Sequence, residues 1–150
     1  MHQRYQSLRR LIEEHREVVN FAQFGSGTDE SLLQQAESTL GFLFPPSYRW
    51  WLQNYGGGEI CGEEIFSVYE LASPSLPAGD VVYMNTGKQK MRTLSEEQIV
   101  ICVSDVDGAF FFDASRRTDD GECPVVSVLL NRIYAVDFLD FLRKRINNFG

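Results

Sequence analysis

The residues of this chain best equipped for chemistry are few and scattered. Asp105 and Asp107 sit in a D-x-D-G run, Asp105-Val106-Asp107-Gly108, directly after the apolar stretch Val100-Ile101-Cys102-Val103. A carboxylate at the end of a strand is well placed to act as a nucleophile or to work beside a metal ion. The same run also reads as an Asp-Gly turn joining two antiparallel strands, which needs these small polar residues. It is not a calcium loop of the EF-hand type, because the glycine and the closing glutamate are not at the required offsets. Both histidines, His2 and His15, fall in the first amphipathic segment, so a Ser-His-Asp or Cys-His site would have to borrow one across the fold. Cys61, Cys102 and Cys123 form no C-x-x-C pair, which argues against a disulfide framework and against a zinc knuckle. Gly56-Gly57-Gly58 follows a helix instead of opening one, so it reads as a helix end and turn, not as a phosphate cradle. Trp51 shares an apolar stripe with Tyr48, Leu52 and Tyr55 and reads as core. Trp50 points away from that stripe and is either exposed or packed under another element.

A chain of 150 residues, 43% hydrophobic and 23% charged, is sized for one domain spanning residues 1–150. Such a chain can bury roughly 70% of its unfolded surface, and its composition excludes wholesale disorder. Twenty-one acidic against fourteen basic side chains give a net charge of -7. That charge repels a phosphate backbone and an anionic membrane, so neither nucleic acid nor a membrane is expected as a direct partner. The N-terminus leads straight into a charged amphipathic stretch, no apolar run is long enough to span a bilayer, and the cysteine usage suits a reducing compartment. A cytoplasmic location is expected.

Tyr5, Leu8 and Ile12, continuing to His15 and Val19, recur at helical spacing and predict a first helix, followed by a glycine-broken loop over Phe21 to Gly27. Thr28 or Asp29 suits the N-cap of a second helix carrying Leu33, Ala36 and Leu40, with Gly41 placed to end it. Pro45-Pro46 can start a third helix, which the three glycines stop. Glu59 to Phe66 reads as one strand, Val68 to Leu71 as one helical turn, Pro74 to Pro77 as a loop, and most of Asp80 to Arg92 as helix interrupted at Gly87. Ile99 to Val103, Ala109 to Phe112, Val125 to Leu129 and Ile133 to Val136 are short β-branched or aromatic runs whose brief connections predict antiparallel pairing. Phe138, Phe141, Leu142 and Ile146 return to helical spacing, with Arg143, Lys144 and Arg145 in the closing turns where cations suit the helix dipole. The expected fold class is α+β, an antiparallel or mixed sheet of about five strands covered by helices.

Two resemblances bear on function. Val100 to Gly108 resembles the first motif of the haloacid-dehalogenase phosphatases, in which the first aspartate attacks phosphorus and the second acts as acid/base beside magnesium. Asp105 and Asp107 would take those roles. The run lies two-thirds along the chain, Ala109 stands where that family has threonine, and too little sequence follows for its remaining βαβ units and lysine. The second resemblance covers nearly the whole chain. Leu43-Phe44-Pro45-Pro46-Ser47-Tyr48-Arg49-Trp50-Trp51-Leu52-Gln53-Asn54-Tyr55-Gly56-Gly57-Gly58 resembles the signature of the SUKH superfamily, the Smi/Knr-like proteins. The preceding helix from Asp29 to Leu40, the Glu59 to Phe66 strand, the helix around Asp80, the strand-turn-strand of Asp105 to Asp113, the Gly121-Glu122-Cys123-Pro124-Val125 strand entry and the Phe138 to Leu142 helix follow in that superfamily's order.

This resemblance implies an immunity protein of a bacterial polymorphic toxin system, one that binds a cognate toxin domain, often a nuclease, and blocks it. Fungal relatives act in cell-wall regulation, and a general interaction or regulatory adaptor of the same fold is the alternative. Pro46, Tyr48, Trp51 and Gly57 carry over as scaffold. No catalytic residue, cofactor or metal is implied, and the toxin-facing residues vary between members. The acidic balance suits a basic partner such as a nuclease domain, because opposite charge steers association. The carboxylates not absorbed by helix patterning fall in three segments: Glu59, Glu63 and Glu64; Asp105, Asp107 and Asp113; Asp119, Asp120 and Glu122. With Trp50 they are the candidate partner-binding residues, against the alternative that each segment is simply a solvated turn.

Overall fold

Alternating Phe110 and Phe112 with Ala109 and Phe111 gives one strand two faces, and helices cover the face on which the first pair lies. The computed structural model describes residues 2–69 and 79–149. Its helices are α1 (His2–Glu14), α2 (Glu30–Leu40), α3 (Pro46–Tyr55), α4 (Val81–Met84) and α5 (Phe138–Phe149). Its strands are β1 (Val19–Phe21), β2 (Gly58–Ile60), β3 (Glu63–Ile65), β4 (Gln98–Ser104), β5 (Gly108–Asp113), β6 (Val125–Ser127) and β7 (Arg132–Ala135). The strands form one sheet in sequence order, each antiparallel to the next, with an isolated parallel bridge between Ser67 and Asp80. The expected α+β class holds, with seven strands among the described residues in place of about five.

Two short elements account for the difference. The first helix ends at Glu14, five residues short of Val19, to which its spacing extended: Val18 and Val19 both donate to the His15 carbonyl, and Val19 then pairs with Ile60 in the sheet. Phe21, expected in a loop, closes that strand. Glu59 to Phe66 is a hairpin, not one strand, because Cys61 and Gly62 both take positive φ, 51° and 82°, as a two-residue I′ turn requires. The helix expected over Asp80 to Arg92 shrinks to α4 and a 3-10 turn at Gly87–Gln89. The Asn85 carboxamide ends it: Nδ2 donates to the carbonyls of Val81 and Val100, and Oδ1 accepts from the Val100 N–H. Asn85 thereby takes the backbone groups of β4 that a neighbouring strand would otherwise pair. Val68 and Tyr69 lie outside any helix, and residues 70–78, with the second half of the expected helical turn and the Pro74–Pro77 loop, fall outside the described residues.

The other elements follow local chemistry. The Asp29 side chain accepts from the Leu32 N–H at the start of α2, and Gly41 ends that helix in the left-handed conformation with its N–H on Glu37. Proline opens α3, and Gly56 closes it. Gly57 follows at φ 146°, and a Cβ there would stand 2.8 Å from Ser67 Oγ, so the position requires glycine. In the core, α3 and α5 lie on the same face of the sheet. Tyr48 packs edge-on to Phe112 at 5.2 Å, Phe110 meets Phe141 at 5.2 Å, and Trp51 meets Phe138 at 5.4 Å. The Tyr48 hydroxyl donates to the Phe66 carbonyl at 2.5 Å, tying α3 to the chain leaving β3. Helix α1 packs beside α5, with Arg4 paired to Asp137.

Candidate interaction surface

The register of the first three strands sets Asn20, Glu59 and Glu64 in one row across the sheet. Alternation turns Ile60 and Ile65 inward and leaves Glu64 exposed, with Glu59 half-buried beside it. Glu64 accepts from the Tyr69 hydroxyl at 2.6 Å. Its chain neighbour Glu63 points the other way. Glu63 Oε1 lies 2.5 Å from Arg145 on α5, and its Oε2 accepts from Ser104 Oγ. The same guanidinium reaches Asp107 Oδ2 at 2.9 Å. Arg145 is only 3% exposed and is faced by the rings of Phe110, Tyr134 and Phe149. Two turns and a helix are therefore locked by one cation.

Asp105 is exposed and Asp107 half-exposed in the turn between β4 and β5, where Gly108 has φ 76°. The Ser104 hydroxyl accepts from the N–H groups of Val106 and Asp107 and fixes this turn. Of the two readings of the D-x-D-G run, the antiparallel Asp-Gly connection is the one present, and its second carboxylate is held by arginine.

Two further acids are internal. Asp113 is buried and accepts from the N–H and hydroxyl of Ser115. Glu122 is buried too: Oε2 accepts from the Ser47 N–H at 3.1 Å and Oε1 from Ser47 Oγ at 2.8 Å. Pro45 offers α3 no side-chain cap, so Glu122 supplies it from the strand entry. Burial pushes the Glu122 carboxyl above its usual range, against the pull of the Ser47 donors. Asp119 and Asp120 are exposed, and Asp120 accepts from Thr118 and from the Glu122 N–H. Trp50 is half-buried under α1, its ring 4.6 Å from Tyr5 and 6.2 Å from Phe24, which settles its placement in favour of packing under another element.

The structure thus divides the sequence-derived set. Glu59, Glu64, Asp105, Asp107, Asp119 and Asp120 reach solvent, whereas Glu63, Asp113 and Glu122 are spent inside the fold and Trp50 is a packing residue. Arg145 was missed. The sequence places it with Arg143 and Lys144 in the closing turns, where cations suit the helix dipole, yet it falls seven residues after Phe138, on the same stripe as Phe141 and Leu142. A lone arginine at an apolar-stripe position is the signal of a buried ion pair.

Cys61 is exposed, and the other two thiols are buried. Burial pushes the Cys102 thiol up to about 12 and the Cys123 thiol up to about 11, where neither is a nucleophile at neutral pH. His15 Nδ1 lies 2.9 Å from the Leu11 carbonyl. Among the described residues, no three His, Cys, Asp or Glu side chains converge as metal ligands, and no helix is long and apolar enough to cross a membrane.

An antiparallel meander backed by helices, with a proline-started aromatic helix running into three glycines, defines a scaffold of the SUKH superfamily. The SUKH_6 family model, described as SMI1-KNR4 cell-wall, matches residues 30–142, from the start of α2 into α5, and the chain belongs to that family. No curated protein matches the chain.

Proposed function

We propose that this protein is a cytoplasmic immunity protein that binds a cognate toxin domain and neutralises it without catalysis. The toxin is basic, of the nuclease type, and is met by an acidic surface. Membership of the SMI1-KNR4 family supports the reading, since immunity is a common role of the superfamily. The single observation that supports an electrostatic contribution is that Glu59, Glu64, Asp105, Asp119 and Asp120 reach solvent in a molecule of net charge -7. Such a field attracts a basic partner and raises its association rate. A non-catalytic role is supported by Asp107, whose carboxylate is tied to Arg145.

The test is co-expression with the toxin domain encoded beside this gene, together with binding kinetics of Glu64→Lys combined with Asp105→Lys. Both positions are exposed and neither touches Arg145, so circular dichroism should show an intact fold. The association rate should fall about tenfold or more at low salt, and the difference should shrink as exposed charges are screened beyond about 10 Å at 0.1 M salt. Binding that is unchanged and independent of salt would remove the acidic surface from the account. Failure of the wild type to bind or protect would favour a regulatory adaptor on the same scaffold.

A further inference from the structure

Two neighbouring hairpins end side by side. The β4–β5 turn carries Val106, 80% exposed, and the β6–β7 turn carries Leu129 and Leu130, 63% and 53% exposed. The tips touch: the Val128 N–H donates to the Ala109 carbonyl, and a Cβ on Gly108 would lie 3.2 Å from that of Leu129. Val103 on β4 and Ile133 on β7 are also exposed but lie on the sheet face away from the helices, so Val106, Leu129 and Leu130 make the aliphatic patch at the paired tips. Beneath it opens a pocket of about 140 Å³, walled by Phe110, Tyr134, Leu129, Leu130, Asp107 and Arg145. That is well short of the roughly 300 Å³ at which small-molecule sites begin, and it suits one side chain.

Charge selects the side chain. Arg145 is a single cation facing two carboxylates, Glu63 and Asp107, so the cluster carries an excess negative charge. The excess is placed outward, because Asp107 is the more exposed of the two and Asp105 stands exposed beside it. An acidic guest would be repelled, and so would a second copy of this acidic chain presenting the same tips. We propose that the paired hairpin tips are the docking surface for the partner, anchored by one lysine or arginine of that partner. Its stem lies on Leu129 and Leu130, and its cation reaches Asp107. This rests on the immunity reading above and adds to it the face and the anchoring chemistry. The site is built in advance, because Arg145 fixes the β4–β5 turn to α5 and the Ser104 hydroxyl fixes its backbone.

The experiment measures binding of the adjacent-gene toxin domain to the wild type, to Val106→Lys with Leu130→Lys, and to Gln34→Lys with Gln35→Lys on exposed α2 positions. The two double variants add the same charge, so general steering affects them alike. Thermal unfolding of each checks the fold. The proposal expects the tip variant to bind at least about a hundredfold more weakly and to lose protection in co-expression, while the α2 variant stays within about threefold of the wild type. Equal affinity of both variants, whether retained or lost, overturns the docking surface and leaves the immunity reading standing. A wild type that neither binds nor protects overturns both. Light scattering that shows dimers broken by the tip substitutions would assign the surface to self-association and also overturn the proposal.

Discussion

Glu122 acts as part of α3 although 75 residues separate it from Ser47, whose N–H and hydroxyl it accepts. Truncating it should strand a buried backbone donor. Glu122→Ala should cost about 1–3 kcal/mol in urea unfolding, while Glu122→Gln keeps an acceptor and should stay within about 1 kcal/mol at pH 7. The pH dependence has a definite sign. Burial raises the folded carboxyl above its ordinary 4.5, with repulsion from Asp137 and Asp120 in support, so the fold holds this proton more tightly than the unfolded chain does. Its contribution is complete below pH 4.5 and fades as pH rises through the folded value. The wild type should therefore gain on the glutamine variant as pH falls toward 4.5, and a constant difference would mean that the carboxyl is solvated. Sequence could show that Glu122 is acidic and sits at a strand entry, but not that a helix end lacking its own cap lies opposite. The scaffold residues were more legible, because Trp51 shows its burial through spacing alone, and Gly57 reveals its role by following a helix end.

Among the elements, those with strong local signals formed where expected: α2 between its Asp29 cap and Gly41, α3 from its proline, and β4 and β5 around an Asp-Gly turn. Those decided by distant partners did not. β1 exists because β2 offers it an edge, and α4 stops because Asn85 is drawn to Val100. The terminal helix shows the same override within one residue. Its basic run is solvated at Arg143 and Lys144 but turns inward at Arg145, which binds α5 to both the β2–β3 and β4–β5 hairpins. Arg145→Met should destabilise by about 2–4 kcal/mol, somewhat below a fully buried pair because Asp107 keeps part of its solvent. Adding Glu63→Gln and Asp107→Asn should recover part of that loss by removing the uncompensated charges. A denaturation midpoint unmoved by Arg145→Met would show that the triad is hydrated.

For the whole molecule, two electrostatic trends oppose each other as pH falls. Acidification from neutrality relieves the self-repulsion of a chain with net charge -7 and a sequence pI near 4.8. Several carboxyls pull the other way, because their folded values lie below the ordinary 3.8 or 4.5. Asp29 is held down by the Leu32 N–H, Asp120 by Thr118 and Glu30 by Arg49. Asp140 is pushed up by burial but brought lower still by the Val136 N–H, Arg143 and Lys144. Stability from such groups is present above the unfolded values and lost as pH falls through the folded ones. The urea midpoint should change little from pH 7 to about pH 5 and then fall steadily below about pH 4.5, whereas a midpoint still rising at pH 3.5 would mean that self-repulsion dominates. The strand order β1 to β7 carries a different consequence, for the route by which the chain folds. β4 to β7 can zip from two hairpins whose turns close short loops, so this half has the low contact order that favours early, rapid formation. β1 must wait for α2 and α3 to be laid down, and α1 must find α5 across almost the entire chain. The docking tips thus belong to the half that nucleates early, and the N-terminal helix to the part that closes last and opens first.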